Sequence, residues 1–199
     1  MTRAAPPHAG RRGRTRRAHA KRRLAAIVVA ALLLSGCASQ NAEPVDADDV
    51  MFLQMMIPHH RQAIEIAALA EAKAADPTLR TLAAAIKVTQ DSEVRRMTAW
   101  LHSWDQPLAA PADAHAHHGG MPETDRRQIA LLRNATDFDR DALNLLIAHQ
   151  DDAVQMATGE IRNGANQQVK QWAEQVEQSR KAQIDQMLHL LDQGTPDPG

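Results

Sequence analysis

The stretch 49-DVMFLQMMIPHHRQAIEIA-67 returns ninety residues later as 139-DRDALNLLIAHQDDAVQMA-157, and that return decides the fold. In the first copy, Phe52, Met55, Met56, Ala63, Ile66 and Ala67, continuing to Ala70, recur at the spacing of one helix face. Asp49 aligns with Asp139, His59 with His149, Ala63 with Ala153 and Ala67 with Ala157, without a gap. The offset persists further on, where Ala83 aligns with Ala173, Met97 with Met187 and Leu101 with Leu191. A helix with one apolar stripe must bury it. Two copies of one αα-hairpin do so by closing on each other. The expected fold is therefore all-α, a four-helix bundle built from two repeated αα-hairpins. The chain has no Tyr and little β-branched alternation, which argues against strands.

Punctuation along the chain sets the expected boundaries. A first helix covers about 48–75. Asp76-Pro77 reads as a stop and a new start, with Asp76 as N-cap and Pro77 at the first helical position. The second helix runs from about Thr78 to Ser103, with the stripe Leu79, Leu82, Ala83, Ile86, Gln90, Glu93, Met97, Trp100 and Leu101. Residues 105–122, rich in Pro, Ala, Gly and His, read as a loop. A short helix over Glu123 to Arg133 follows. A third long helix runs from near Asp137 to the stop at Asn163-Gly164, and a fourth from about Asn166 to Leu191. The helical domain thus spans 48–192, with a loose tail over 193–199.

The charge is unevenly distributed. Residues 1–36 hold nine Lys/Arg and no acid, which leaves 14 basic and 24 acidic residues in the remainder. An acidic remainder excludes nucleic acid as a partner and suits a domain that attracts cations. The basic leader ends at Arg23 and is followed by an apolar run, Leu24 to Leu34, then Ser35-Gly36-Cys37. That run is too short to span a bilayer but fits a signal-peptide core. Small residues before the single cysteine resemble the lipobox of bacterial lipoproteins. The expectation is a lipoprotein signal peptide over 1–36, lipidation at Cys37, a polar spacer over 37–47, and a domain tethered to the membrane outside the cytoplasm. An uncleaved anchor is the other reading. A lone cysteine also excludes a disulfide, a Cys-based zinc site and Cys-x-x-Cys-His haem attachment.

The run Met55-Met56-Ile57-Pro58-His59-His60 carries the sharpest chemistry. Met55 and His59, Met56 and His60, and Met56 and His59 are spaced to share a helix face. Thioether is a soft ligand and imidazole suits copper, zinc, iron and nickel; together they favour copper, Cu(I) above all. Pro58 lies deep in the helix and frees the carbonyl of Gln54 beside the histidines. Gln90 and Glu93 sit on the inward stripe of the second helix and need partners. An imidazole is a natural one, with Glu93 as its acceptor or as a direct ligand. His115, His117, His118 and Met121 form a short tract of the kind that binds soft or borderline metals weakly. The alternative for the cluster is core packing with a His–Glu bond that fixes helix register, and for the tract a solvated loop.

Asp49, Phe52, Met56-Ile57-Pro58-His59-His60 and Ala63, together with Gln90, Glu93, Met97, Leu101 and Phe138-Asp139-Arg140, resemble the signature of the domain of unknown function 305 family. The resemblance covers roughly Asp48 to Leu191. It implies a ferritin-like four-helix bundle, secreted or lipid-anchored; some members are associated with copper binding and copper resistance, and most have no assigned activity. It carries these residues and His149 over as signature positions, and the expected metal set is Met56, His59, His60, Met97, Glu93 and His149, with Gln90, Asp49 and Asp139 supporting them. The second half departs from the pattern: Leu146, Gln150, Arg180 and Gln183 stand where a Met, a second His, a Gln and a Glu belong. Arg180 brings a positive charge to an inward face and opposes a cation beside it.

The function expected is copper sequestration or delivery outside the cytoplasm, with no organic cofactor. A helical module that binds no metal, its His, Glu and Gln residues forming a core network, is the alternative. An enzyme is not expected, because the chain contains no Glu-x-x-His, no His-Glu-x-x-His, no phosphate loop and no serine nucleophile motif. No feature of the sequence identifies a protein partner.

Overall fold

The computed structural model describes residues 43–110 and 126–194. The leader over 1–36, Cys37, the loop residues His115, His117, His118 and Met121, and residues 195–199 lie outside the described residues. Among the described residues, four long helices and one short one follow each other: α1 Ala47–Lys73, α2 Pro77–Ser103, α3 Arg126–Leu132, α4 Phe138–Asn163 and α5 Gln167–Gly194. Among the described residues there is no strand, and no helix is long and apolar enough to cross a membrane. The architecture is the expected all-helical bundle. The ninety-residue offset maps the start of α2 onto that of α5 and the end of α1 onto that of α4.

Local chemistry fixes the helix ends. Asp46 accepts the Asp48 and Asp49 amides and Asp49 returns a bond to the Asp46 amide, a capping box that starts α1 inside the stretch expected as spacer. Asp76 caps α2 and Pro77 opens it, as its sequence implies. The short helix covers Arg126–Leu132, within the stretch expected for it. In α5 the last turn extends to Gly194, past the expected start of the tail, and Gln193 bonds His189 at 2.8 Å there.

α1 packs on α2, α4 on α5, and the two hairpins meet through α1 and α4. The core has two apolar clusters. One joins Ile66, Leu79, Ile86, Leu143, Leu146 and Met187, with Ile129 and Leu132 of α3. The other joins Phe52, Leu53, Met56, Met97, Val169, Trp172 and Val176. The offset exchanges them: Leu79, Ala83 and Ile86 map onto Val169, Ala173 and Val176, and Met187 onto Met97. The residues midway along the helices, His59, His60, Gln90, His149, Gln150 and Arg180, are buried but polar.

Asp49 and Asp139 do not stand with the histidines. Each lies ten residues ahead of its histidine, roughly 15 Å along the helix. Each clasps the opposite hairpin: Asp49 accepts the Asn166 amide at 2.9 Å, and Asp139 accepts the Asp76 amide at 2.7 Å and the Ala75 amide at 2.9 Å. Asn166 and Asp76 are themselves related by the offset, so the pair is reciprocal.

The halves differ at one end. Ala70 and Ala74 of α1 correspond to Glu160 and Gly164 of α4. The Gly164 backbone, at φ −60° and ψ 150°, is open to any residue, so the expected helix stop does not use a left-handed glycine. A Cβ there would overlap the carboxyl end of the buried Glu160 side chain, which would have to move. Gly164→Ala should therefore destabilise the protein by about 1 kcal/mol, the low end for overpacking, because only the end of one flexible side chain has to move. In a Glu160→Ala background, which rebuilds the Ala70/Ala74 arrangement, the same change should stabilise by about 0.4–1 kcal/mol, by restricting the unfolded chain. Urea denaturation of the four proteins measures both, and equal effects of Gly164→Ala in the two backgrounds would refute the steric account.

Candidate functional site

The repeat brings His59 and His149 face to face. Their rings stack with centroids 3.8 Å apart and planes at 20°. His149 donates Nε2–H to the backbone carbonyl of His59 at 3.1 Å. Neither ring nitrogen of His59 has a hydrogen-bond partner, although the residue is buried. Burial is the main cause holding both rings well below the ordinary histidine range, His149 at about 3, with neighbouring rings and Arg180 adding to it.

Around this pair the offset generates two matching triads. On one side His60 Nε2 bonds Glu93 Oε2 at 2.8 Å, and Arg180 forms an ion pair with the same oxygen. On the other side the equivalents are all amides: Gln90 donates to Gln150 at 3.2 Å, and Gln150 donates to Gln183. Gln90 thus answers to Arg180, Gln150 to His60 and Gln183 to Glu93. Gln90, expected to orient a histidine, is instead part of this amide chain. Arg180 has no exposed side-chain surface and Glu93 is 14% exposed. Arg180 and the bond from His60 hold the Glu93 carboxyl below its usual range against the opposing effect of burial. Burial also lowers His60, outweighing Glu93.

The charge state that follows is a neutral His60 between a carboxylate and a guanidinium. Its Nε2–H is committed to Glu93, and Nδ1, buried and without a partner, keeps its lone pair. A ligating imidazole commonly donates its other N–H to a carboxylate in this way. Glu93 therefore orients a ring and is not itself an open ligand. Met56 lies three residues before His59, and Met97 four after Glu93. Both are fully buried and belong to the same apolar cluster on one side of the polar residues. On the other side their equivalents are Leu146 and Met187. His149, expected among the metal ligands, has its Nε2–H engaged by a backbone carbonyl. Among the described residues, no three His, Cys, Asp or Glu side chains gather as a ready-made ion site.

Three buried neutral histidines give a signed pH dependence. Their folded-state values lie below the unfolded one, so the stability they contribute is complete above about pH 6.5 and is lost as pH falls through that range toward the folded value, about 3 for His149. Glu160 works oppositely. Burial, with Asp49 alongside, pushes it up to about 8, so its contribution fades as pH rises from about 4.5 to 8. With Glu160→Gln in place to remove the second effect, the urea midpoint should fall steadily from pH 7 to pH 5, and His149→Phe should flatten part of that slope. A midpoint independent of pH over this window would mean that the rings are not held neutral.

A family model described as a domain of unknown function (DUF305) matches residues 49–191. Among solved structures, a DUF305 fragment from Deinococcus radiodurans is 29% identical with a TM-score of 0.67, over 75% of this chain and 99% of that one. A DUF305 protein from Streptomyces coelicolor, provisionally named a secreted protein, is 28% identical with a TM-score of 0.68, over 74% of this chain and 95% of that one. CopM in its Cu(I)-bound form is 29% identical with a TM-score of 0.64, over 74% of this chain and 98% of that one. CopM is also known in Cu(II)-bound and Ag-bound forms. No curated protein matches the chain.

Proposed function

The chain belongs to the DUF305 family, and from that premise we propose that it is an extracytoplasmic copper-binding protein that sequesters or delivers the metal. One observation carries the reading: two adjacent buried imidazoles keep nitrogens without hydrogen-bond partners, and one of them is oriented by a carboxylate through its other nitrogen. Buried polar atoms left without partners are uncommon and call for an explanation. Met56, one turn before His59 and His60 on α1, and Met97, one turn after Glu93 on α2, are fully buried and supply the soft donors that favour Cu(I). CopM, similar in fold and sequence, is known with Cu(I), Cu(II) and Ag bound, which supports the same class of ligand here.

Copper is cargo in this reading. His59 and Met56 are ligands, His60 through Nδ1 or Met97 completes the set, and Glu93 orients His60. Arg180 already balances Glu93, so an arriving ion adds positive charge; this favours a monovalent ion over a divalent one. The amide triad and Leu146 offer the second half no comparable set. The position outside the cytoplasm draws support from the basic leader with its short apolar run and from the Streptomyces coelicolor relative. A lipid on Cys37 would tether the domain to the membrane.

Competition against a Cu(I) chelator tests the site. His59→Ala/His60→Ala should weaken binding by about tenfold or more per lost contact, and His149→Ala should weaken it less. Equal losses would favour a site shared by both halves, and no loss from either would leave the histidines a structural network only. The anchor is tested separately: Cys37→Ser should move the protein from the membrane fraction to the soluble one, and unchanged fractionation would dismiss lipidation.

A further inference from the structure

The two ends of the bundle carry equivalent grooves between α1 and α4 that the protein treats differently. In one, Ile66, Ala70, Ala142 and Leu145 belong to one apolar cluster with Ile129 and Leu132 of α3. Three of those four positions map by the offset onto Met156, Glu160 and Met55, and the fourth onto Phe52. In this second groove no short helix among the described residues takes the place of α3. It remains a cavity of about 170 Å³ lined by Asp48, Met51, Phe52, Met55, Met156 and Glu160, among others. Three methionines thus line one groove where the other half has Ile66, Asp141 and Leu145. Met51 and Met55 are one turn apart on α1, and Met156 is one turn before Glu160 on α4. All three methionines are partly exposed, so the groove is open to solvent. Glu160 is 3% exposed, and neither of its carboxyl oxygens has a hydrogen-bond donor.

We propose that this groove is a second metal site, in which Met51, Met55 and Met156 hold a soft monovalent cation, Cu(I) or Ag(I), against the Glu160 carboxyl. Thioether sulfur selects soft ions over zinc, calcium or magnesium. Asp48 at the rim favours a cation, and Glu160 below offers its carboxyl oxygens. The groove shares no residue with the histidine cluster, so the proposal does not depend on that cluster binding metal. Its methionines are reached from solvent, whereas Met56 and Met97 are fully buried.

The test uses the full-length protein labelled with ¹³C-methyl methionine and titrated with Ag(I), a redox-inert probe. Of the eight methionines, Met51, Met55 and Met156 should shift together as one equivalent binds. Replacing those three with Leu, which conserves volume, should remove that equivalent while the circular dichroism spectrum stays helical. His59→Ala/His60→Ala should keep it. Shifts confined to Met56 and Met97, or an unchanged number of bound Ag(I) ions in the triple Leu variant, would overturn the proposal. Loss of a separate equivalent in the histidine variant alone would concern only the histidine site.

Discussion

A guanidinium with no exposed surface, set among apolar helices, has to be neutralised where it stands. Arg180 meets that requirement through Glu93, which reaches it from α2 and also accepts from His60 on α1. Removing one partner from such a buried pair typically costs about 3–5 kcal/mol, because the other charge is left without compensation. The pair therefore fixes α5 against α2 and α1 in one register. It also dictates protonation: with the carboxylate and guanidinium charged, His60 stays neutral, spends one N–H on Glu93 and keeps a lone pair on Nδ1. What the site can do chemically follows from that arrangement.

The repeat supplies the frame, and departures from it supply the chemistry. His59 and His149 stack across the relation between the halves, with charged residues to one side and amides to the other. The amide triad can hold three helices together but offers no strong ligand. The asymmetry continues outward. The cluster beyond the charged triad contains Met56 and Met97, and the groove beyond it carries Met51, Met55, Met156 and Glu160. At the opposite end the corresponding space is filled by Ile129 and Leu132 of α3. One hairpin pair has thus become a support at one end and an array of sulfur and imidazole donors at the other.

Much of the frame was legible in the sequence. The ninety-residue offset gave two hairpins, Asp76-Pro77 marked a boundary, and the inward stripe placed Gln90 and Glu93 in the core. Arg180 could be recognised as a buried charge because it occupies a stripe position. These readings succeed because helix periodicity, capping and proline chemistry act over a few residues.

Partner choice was not legible. The sequence could not show that Gln90 turns to Gln150, that Asp49 and Asp139 clasp the opposite hairpin's helix starts, or that His149 spends its N–H on a backbone carbonyl. Gly164 looked like a helix stop, and the sequence did not show the Glu160 carboxyl packed against it. Met51 and Met156 are 105 positions apart in the chain and carry no local signal of meeting. The sequence by itself determined which residues lie on which helix face. Tertiary structure decided which faces meet, because the rotation of each helix and the distances between hairpins are set by the packing of the whole core at once.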